Sequence, residues 1–149
     1  MKVNFVKMHE NAQVPMRNKE DDGAAGYDVK AGESHILYPN ETYAVGTGIK
    51  CALPEGTFAM IVSRSGLSLK GIIVNNAPGI IDSTYRGEWK VILHNQSNRI
   101  FNINIGDRIA QCLLMNYNTI NFTEVEELDS TERGEKGFGS SGIWFYLRR

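Results

Sequence analysis

The stretches Phe58-Ala59-Met60-Ile61-Val62 and Trp89-Lys90-Val91-Ile92-Leu93 decide the fold class. In both, large apolar side chains recur at every second position, which is the period of a β-strand. Turn sequences such as Pro39-Asn40, Pro54-Glu55-Gly56 and Gly106-Asp107 punctuate the chain around them. The pattern therefore predicts short strands joined by tight turns.

Other short apolar segments occur along the chain and also look like strands: Val3–Val6, Tyr27–Val29, Ile36–Tyr38, Tyr43–Val45, Ile49–Leu53, Ile72–Val74, Ile100–Ile105 and Ile109–Leu114. No long stretch has a helical period. The best short helix is Ser65 to Lys70, with Ser65 as its cap. This number of short strands in one small domain indicates an all-β fold, either a sandwich, a jelly roll or a barrel.

The composition is that of a globular protein. The 149 residues are 42% hydrophobic and 22% charged, and the formal net charge is −1. A chain of this length can bury a self-sufficient core. Because there is no global positive field, we expect neither a nucleic-acid polymer nor an anionic membrane as a partner.

The cysteine and histidine pattern argues against a zinc site. Cys51 and Cys112 lack CxxC spacing, and the three histidines form no metal-binding motif. The N-terminus lacks the apolar region of a signal peptide, and no apolar run approaches the roughly 20 residues of a membrane span. We therefore expect a reduced, cytoplasmic protein, in the host cytoplasm if the source is viral.

The C-terminal region differs in composition from the rest. Acidic residues accumulate from Glu124 to Glu132, and a glycine-rich segment follows from Arg133 to Gly142. We predict a β-barrel domain over 1–123 and an acidic linker with a mobile arm and an aromatic tail over 124–149. Glycine loses the most backbone freedom on ordering, so such an arm is expected to become fixed only on a ligand. A frayed tail is the alternative.

Four segments of the first domain carry polar groups suited to chemistry. Asp28 follows small residues at a strand, where it can also simply cap a turn or pair with an arginine. Arg64 and two serines at the start of the short helix are suited to binding a phosphate group, although they can also form an ordinary helix cap. A hairpin from Asn75 to Glu88 would expose backbone groups that can match a flat base, with Tyr85 as a stacking face. Gln111 is an amide in an apolar strand, which usually indicates a structural cross-link.

These segments, together with the arm, resemble the five sequence motifs of the homotrimeric dUTPase (deoxyuridine triphosphatase) family. The family patterns AGYDL, PRSGL, GVIDxDYRG, GDRIAQ and RGxGGFGSTG are matched by Ala25–Val29, Ser63–Leu67, Gly79–Gly87, Gly106–Gln111 and Arg133–Gly142. Apart from the aliphatic exchanges at Val29 and Ile80, four positions depart from the patterns, none of them central to the family's chemistry: Ser63 for proline, Thr84 for aspartate, Lys136 for glycine and Ser141 for threonine.

The resemblance implies a distorted jelly-roll β-barrel with one short helix, and hydrolysis of dUTP to dUMP and pyrophosphate. That reaction lowers dUTP and supplies the precursor of dTMP. The resemblance also implies Mg²⁺ on the triphosphate and a homotrimer whose three sites are shared between subunits.

Roles for individual residues follow from the same resemblance. Asp82 is the catalytic base that activates water, and Asp28 holds the metal through water. Asn76 and the backbone from Gly79 to Ile81 read uracil, while Tyr85 packs on the sugar and excludes a 2′-hydroxyl. The other implied contacts to the nucleotide are Arg64, Ser65 and Gly66 at the phosphates, Gln111 at the phosphate chain or the attacking water, and Arg133, Phe138, Gly139 and Ser140 in the closing arm.

Two alternatives remain open from the sequence. A dCTP deaminase would share the fold but use a glutamate base, whereas this chain has Asp82 at that position. A nucleotide-responsive binding protein would order its arm on dUTP with little hydrolysis, and the aromatic tail Ile143–Arg149 is unexplained by the motifs. Pyrophosphate release, without ammonia, separates the first from the enzyme expected here.

Overall fold

The computed structural model describes residues 2–17 and 23–137. The described chain is almost entirely β-structure, which confirms the all-β prediction. Its strands are β1 (Asn4–Lys7), β2 (Tyr27–Lys30), β3 (His35–Leu37), β4 (Thr42–Gly46), β5 (Ile49–Ala52), β6 (Thr57–Val62), β7 (Ile72–Val74), β8 (Gly79–Asp82), β9 (Lys90–Asn95), β10 (Phe101–Ile103) and β11 (Arg108–Asn116).

The strands form antiparallel sheets. The largest has the order β2-β11-β6-β8, and a second has the order β4-β9-β7. Two smaller pairs, β1-β5 and β10-β3, complete the described arrangement. The long strand β11 lies between β2 and β6, so residues of three chain segments meet on the largest sheet.

The predicted turns have the backbone geometry that their residues favour. Asn40 has φ 61°, Gly56 has φ 75° and Gly106 has φ 88°, all in the left-handed region. In the second turn, the Thr57 hydroxyl also donates to the Pro54 carbonyl at 2.7 Å. Turn chemistry and strand period therefore agree along this part of the chain.

The core lies between the sheets and follows the two-residue period. On β9, Val91, Leu93 and Asn95 are buried while the intervening residues are more exposed. On β6, the buried face consists of Thr57, Ala59 and Ile61, and the larger side chains of the other face are half-buried. Ala59, with a small side chain, is thus on the fully buried face of β6, which the alternation of large apolar residues does not reveal.

The short helix differs from the prediction. Helix α1 spans Ser65–Ser68 rather than extending to Lys70. Its N-cap is Arg64, and no side chain caps it, so the prediction of Ser65 as the cap is wrong. Ser65 instead lies inside the first turn because Arg64 has the extended backbone of a cap residue.

The chain divides into two compact units, Met1–Asn118 and Thr119–Arg149. In the second unit, residues 119–137 contain no helix or strand but do form one turn, in which Gly134 N–H donates to the Thr131 hydroxyl at 3.0 Å. Across the described ranges, no helix has both the length and the apolar character to cross a membrane.

Candidate functional site

Asp28 lies between two arginines on the largest sheet. Its Oδ1 is 3.1 Å from Arg64 Nε and its Oδ2 is 3.3 Å from Arg108 Nη1. Arg64 Nη1 also donates to the Arg108 backbone carbonyl at 3.0 Å. The Asp28 side chain is only 13% exposed, so these charge-assisted contacts are largely shielded from water. The pairing with arginine that the sequence left open is therefore observed.

Gln111 joins this group through strand register. On β11 it lies opposite Asp28 of β2 on one side and opposite Val62 of β6 on the other. A Cβ placed on Gly26 would lie 3.4 Å from Gln111 Cδ, so the glycine lets the backbone approach the amide closely. Two of the predicted site residues, Asp28 and Gln111, are thus neighbours on adjacent strands.

The segment around α1 extends this group towards solvent. Ser65 is exposed, and a Cβ at Gly66 would meet only open space. Ser63 has a structural role, since its hydroxyl accepts a hydrogen bond from Val74 N–H at 2.8 Å. A proline side chain has no such acceptor, so this departure from the family pattern adds a hydrogen bond between β7 and the end of β6.

The predicted hairpin from Asn75 to Glu88 is wrong as a paired ladder, because that range contains one strand, β8. β7 pairs with β9, and β8 pairs with β6, so the two strands belong to different sheets. The segment that joins them contains a cis peptide before Pro78, and the Asn76 amide packs against Gly79, whose added Cβ would lie 3.3 Å from Asn76 Nδ2. In the described chain, no strand pairs with the second edge of β8. The exposed backbone edge expected from the sequence is therefore present because β8 is the last strand of its sheet, and not because it belongs to a hairpin.

Asp82 and Tyr85 line one cavity of about 330 Å³, together with Ile80, Ile81 and Glu88. Asp82 ends β8 and is exposed, and within the described residues its carboxylate has no hydrogen bond or ion pair. The loop after it is closed by Tyr85 N–H, which donates to the Asp82 carbonyl at 3.1 Å. This second group can therefore offer a free carboxylate oxygen beside an aromatic face.

A single chain does not bring the two groups together. Asp28 pairs with Gln111, and Gln111 pairs with Val62 of β6. Asp82, on the far edge strand of the same sheet, pairs instead with Phe58 of β6. Three strand spacings of about 4.8 Å and four residues of about 3.4 Å rise place Asp28 and Asp82 roughly 20 Å apart. Both carboxylates cannot act on one phosphate of a ligand across that distance.

The predicted arm residues are only partly covered. Arg133 lies in the turn of the second unit, where its Nε donates to the Lys136 carbonyl at 3.0 Å. Phe138, Gly139, Ser140 and the tail Ile143–Arg149 lie outside the described residues. The arm contacts therefore stay predictions.

Metal-binding groups are sparse in the first unit. Among the described residues, no three His, Cys, Asp or Glu side chains form a cluster that could hold an ion. Mg²⁺ commonly uses one or two carboxylates, several waters and substrate phosphates. Asp28 accepts one arginine contact on each oxygen, which leaves lone pairs for water-mediated contact.

Sequence reasoning missed two residues near these groups. Arg108 was part of a quoted motif without a role, yet it binds the second oxygen of Asp28. Glu88 lines the Asp82 cavity and hydrogen-bonds to Gly48 N–H at 2.9 Å. Spacing gives no signal for either contact, because each joins segments that are distant in the chain.

Comparison with known proteins gives one consistent answer. The family model described as dUTPase matches residues 12–142. A deoxyuridine 5′-triphosphate nucleotidohydrolase of Zymomonas mobilis is 45% identical over 96% of this chain and 99% of its own length. One from Fusobacterium nucleatum is 48% identical over 95% of this chain and 99% of its own length.

Solved structures agree with these sequence relatives. The G164S mutant dUTPase of Staphylococcus bacteriophage 80alpha, solved with dUpNHpp, has a TM-score of 0.85 and 30% identity and covers 95% of this chain and 99% of its own. A second solved structure is the D95N mutant dUTPase from phage phi11 of S. aureus, which reveals how a structural Mg(II) ion is coordinated. It has a TM-score of 0.78 and 27% identity, and the match covers 87% of this chain and 100% of its own. The match confirms the jelly-roll type of fold, although the sheets described here do not close into a complete barrel.

Proposed function

This chain belongs to the dUTPase family and is a dUTP diphosphatase, and we propose that its exposed Asp82 activates the water that attacks the triphosphate. The observation that carries the proposal is the free Asp82 carboxylate in a cavity that also contains Tyr85. A positioned carboxylate can accept a proton from the attacking water in the transition state.

The nucleotide is proposed to lie with its uracil against the β7–β8 segment. The unpaired edge of β8 offers backbone donors and acceptors near Asn76, whose amide packs on Gly79. A cytosine there would set donor against donor, and a buried polar mismatch is costly. Tyr85, across the cavity from Ile81, would pack on the deoxyribose.

Arg64, Ser65 and Gly66 are proposed to bind the phosphates, with Gln111 beside them. Arg64 and Arg108 place two guanidinium groups beside Asp28, and guanidinium forks match phosphate oxygens. Asp28 holds both forks in position. The charge of these groups neutralises developing negative charge, which phosphoryl transfer needs more than covalent chemistry.

A magnesium ion that enters with the triphosphate fits this donor set. The described residues contain no cage of protein ligands, and Asp28 retains lone pairs that can accept from metal-bound water. When bound, Mg²⁺ would neutralise part of the triphosphate charge. Asp28 and the arginines would orient the phosphate chain around it.

The site is proposed to be shared between subunits of a homotrimer. The roughly 20 Å between Asp82 and Asp28 within the sheet supports this arrangement, because a symmetric copy can supply the missing half. The arm over 124–149 is proposed to close on the nucleotide through Arg133, Phe138, Gly139 and Ser140, a step that would exclude water.

Substitution of Asp82→Asn tests the proposed base. Hydrolysis of dUTP should fall at least about 100-fold, whereas affinity for a non-hydrolysable dUTP analogue should stay within about threefold. Glu55→Gln is the matched control, since Glu55 is also an exposed carboxylate but does not line the Asp82 cavity. Pyrophosphate should form without ammonia. An active Asp82→Asn variant would contradict the assignment, and release of ammonia from dCTP would favour the deaminase alternative.

A further inference from the structure

Glu88 ties the loop after Asp82 to a turn on another part of the sheet system. Its Oε1 accepts a hydrogen bond from Gly48 N–H at 2.9 Å, in the segment that joins β4 to β5. A Cβ placed on Gly46 would lie 2.7 Å from the same oxygen, so the carboxylate sits directly against this glycine. The side chain is 22% exposed, and its other oxygen is 3.8 Å from Lys90 Nζ.

Glu88 is also connected to the Tyr85 side chain, through its backbone carbonyl. The Tyr85 hydroxyl donates to the backbone carbonyl of Glu88 at 3.1 Å. The ring also lies so close to Gly87 that a Cβ at that position would collide with it. The ring therefore folds back on its own loop, and its orientation depends on where residues 87 and 88 are held.

Resting on the proposed function, we propose that Glu88 is a positioning residue that fixes Tyr85 against the sugar and so sets the preference for deoxyribose over ribose. Tyr85 and Glu88 both line the cavity that contains Asp82. A ring held at a fixed distance leaves no space for a 2′-hydroxyl, whereas a ring that can move outward admits it. The Glu88 carboxylate can hold the ring in place because it binds Gly48 N–H, in a turn that lies outside the loop that follows Asp82.

The loop should remain folded when Glu88 is changed. Trp89 N–H donates to the Ile49 carbonyl at 2.9 Å, and the Thr47 hydroxyl donates to the Trp89 carbonyl at 2.7 Å. These buried contacts anchor the chain immediately after Glu88 without its side chain. Loss of the carboxylate therefore frees the 85–88 segment and leaves β9 in place.

The chain offers a matched control on the same turn. Glu33 Oε1 accepts from Gly46 N–H at 2.6 Å, two residues from the N–H that Glu88 binds. Glu33 is far from Tyr85 in sequence and is not among the residues that line the Asp82 cavity. Glu33→Ala removes the second carboxylate that lies against Gly46 and leaves Glu88 and its bond to Gly48 N–H in place, so this variant measures what general loosening of the turn does.

The test compares kcat/KM for dUTP and for UTP in the full-length protein. Glu88→Ala should lower the dUTP/UTP ratio about tenfold, mainly by improving UTP, since excluding one hydroxyl depends on a fixed wall. Glu88→Gln keeps an oxygen that can accept from Gly48 N–H and should restore most of the ratio. Glu33→Ala should lower thermal stability, because Gly46 N–H loses its acceptor, but should leave the ratio unchanged within about twofold.

A double-substitution cycle separates positioning from general structural support. Tyr85→Phe keeps the ring and removes the bond to the Glu88 carbonyl, so adding Glu88→Ala should lower the ratio little further. The relative affinities of non-hydrolysable dUTP and UTP analogues should change in the same way. An unchanged ratio in Glu88→Ala, or an equal loss in Glu33→Ala, overturns the proposal while hydrolysis of dUTP by the unsubstituted protein still stands. Equal turnover of dUTP and UTP by the unsubstituted protein would overturn both this proposal and the sugar role of Tyr85.

Discussion

Two variants that are each inactive should recover dUTP hydrolysis when subunits of both are combined in one oligomer. Asp82→Asn removes the proposed base, and Arg64→Gln removes a proposed phosphate contact beside Asp28. Within one chain Asp82 and Asp28, the carboxylate that binds Arg64, lie roughly 20 Å apart. If each site takes Asp82 from one subunit and Arg64 from another, a mixed trimer contains some sites in which both residues are intact.

The size of the effect follows from the mixing statistics. With equal amounts of the two variants and random assembly, half of the subunits supply an intact Asp82 and half supply an intact Arg64. About one quarter of the sites should then be intact in both, and activity should recover to about one quarter of the unsubstituted level. Each variant alone should be at least about 100-fold below that level.

The assay is pyrophosphate release from dUTP with Mg²⁺ after the variants have been unfolded and refolded together. Two different affinity tags allow mixed oligomers to be isolated in sequence. Asp82→Asn mixed with the double variant Asp82→Asn/Arg64→Gln is the control, since no copy then carries Asp82. Isolated mixed oligomers with no activity above either parent would refute the shared site and require each chain to assemble its own.

Further predictions concern stability and thiol chemistry. Asn95→Ala should lower the free energy of unfolding, measured by urea titration, by about 3 kcal/mol. The Asn95 amide is fully buried and donates to the Leu37 carbonyl at 3.0 Å, so the variant loses this hydrogen bond. A loss below about 1 kcal/mol would contradict this reasoning. Ser63→Ala should lower the free energy of unfolding by about 1 kcal/mol and raise KM for dUTP, because Val74 N–H loses its acceptor at the start of the segment proposed to bind uracil. An unchanged KM would argue against that link. Burial raises the pKa of Cys112 from 9.0 to about 12, so the folded protein should resist thiol reagents at pH 8 until it is denatured. Since the folded pKa is the higher one, the stabilisation from this buried thiol is fully present below about pH 9 and is lost as pH rises towards 12, which unfolding curves at alkaline pH would reveal.

The strands and turns were predictable because they depend on local sequence. Trp89, Val91 and Leu93 alternate in the sequence and are buried in the structure. Gly56 and Gly106 take the left-handed backbone that their turns require. The helix was less predictable, since a segment of four residues has almost no periodic signal and its cap is decided by the direction in which the chain enters.

The pairing of strands could not be read from the sequence. Neighbouring segments with a turn between them favour a hairpin, yet β7 and β8 enter different sheets. Register depends on which faces are buried together, and that is settled only when all strands pack. The same holds for Arg108, which meets Asp28 only because β11 lies beside β2.

The all-β class and the turns are encoded in residues close together along the chain, and the family to which the chain belongs is encoded in the order of its short motifs. The tertiary structure alone decided that Asp28 lies between two arginines, that Glu88 reaches the Gly48 turn, and that Asp82 stands far from the arginine pair. These are relations between distant segments, and their geometry is fixed by the sheet register that common burial of the strands imposes.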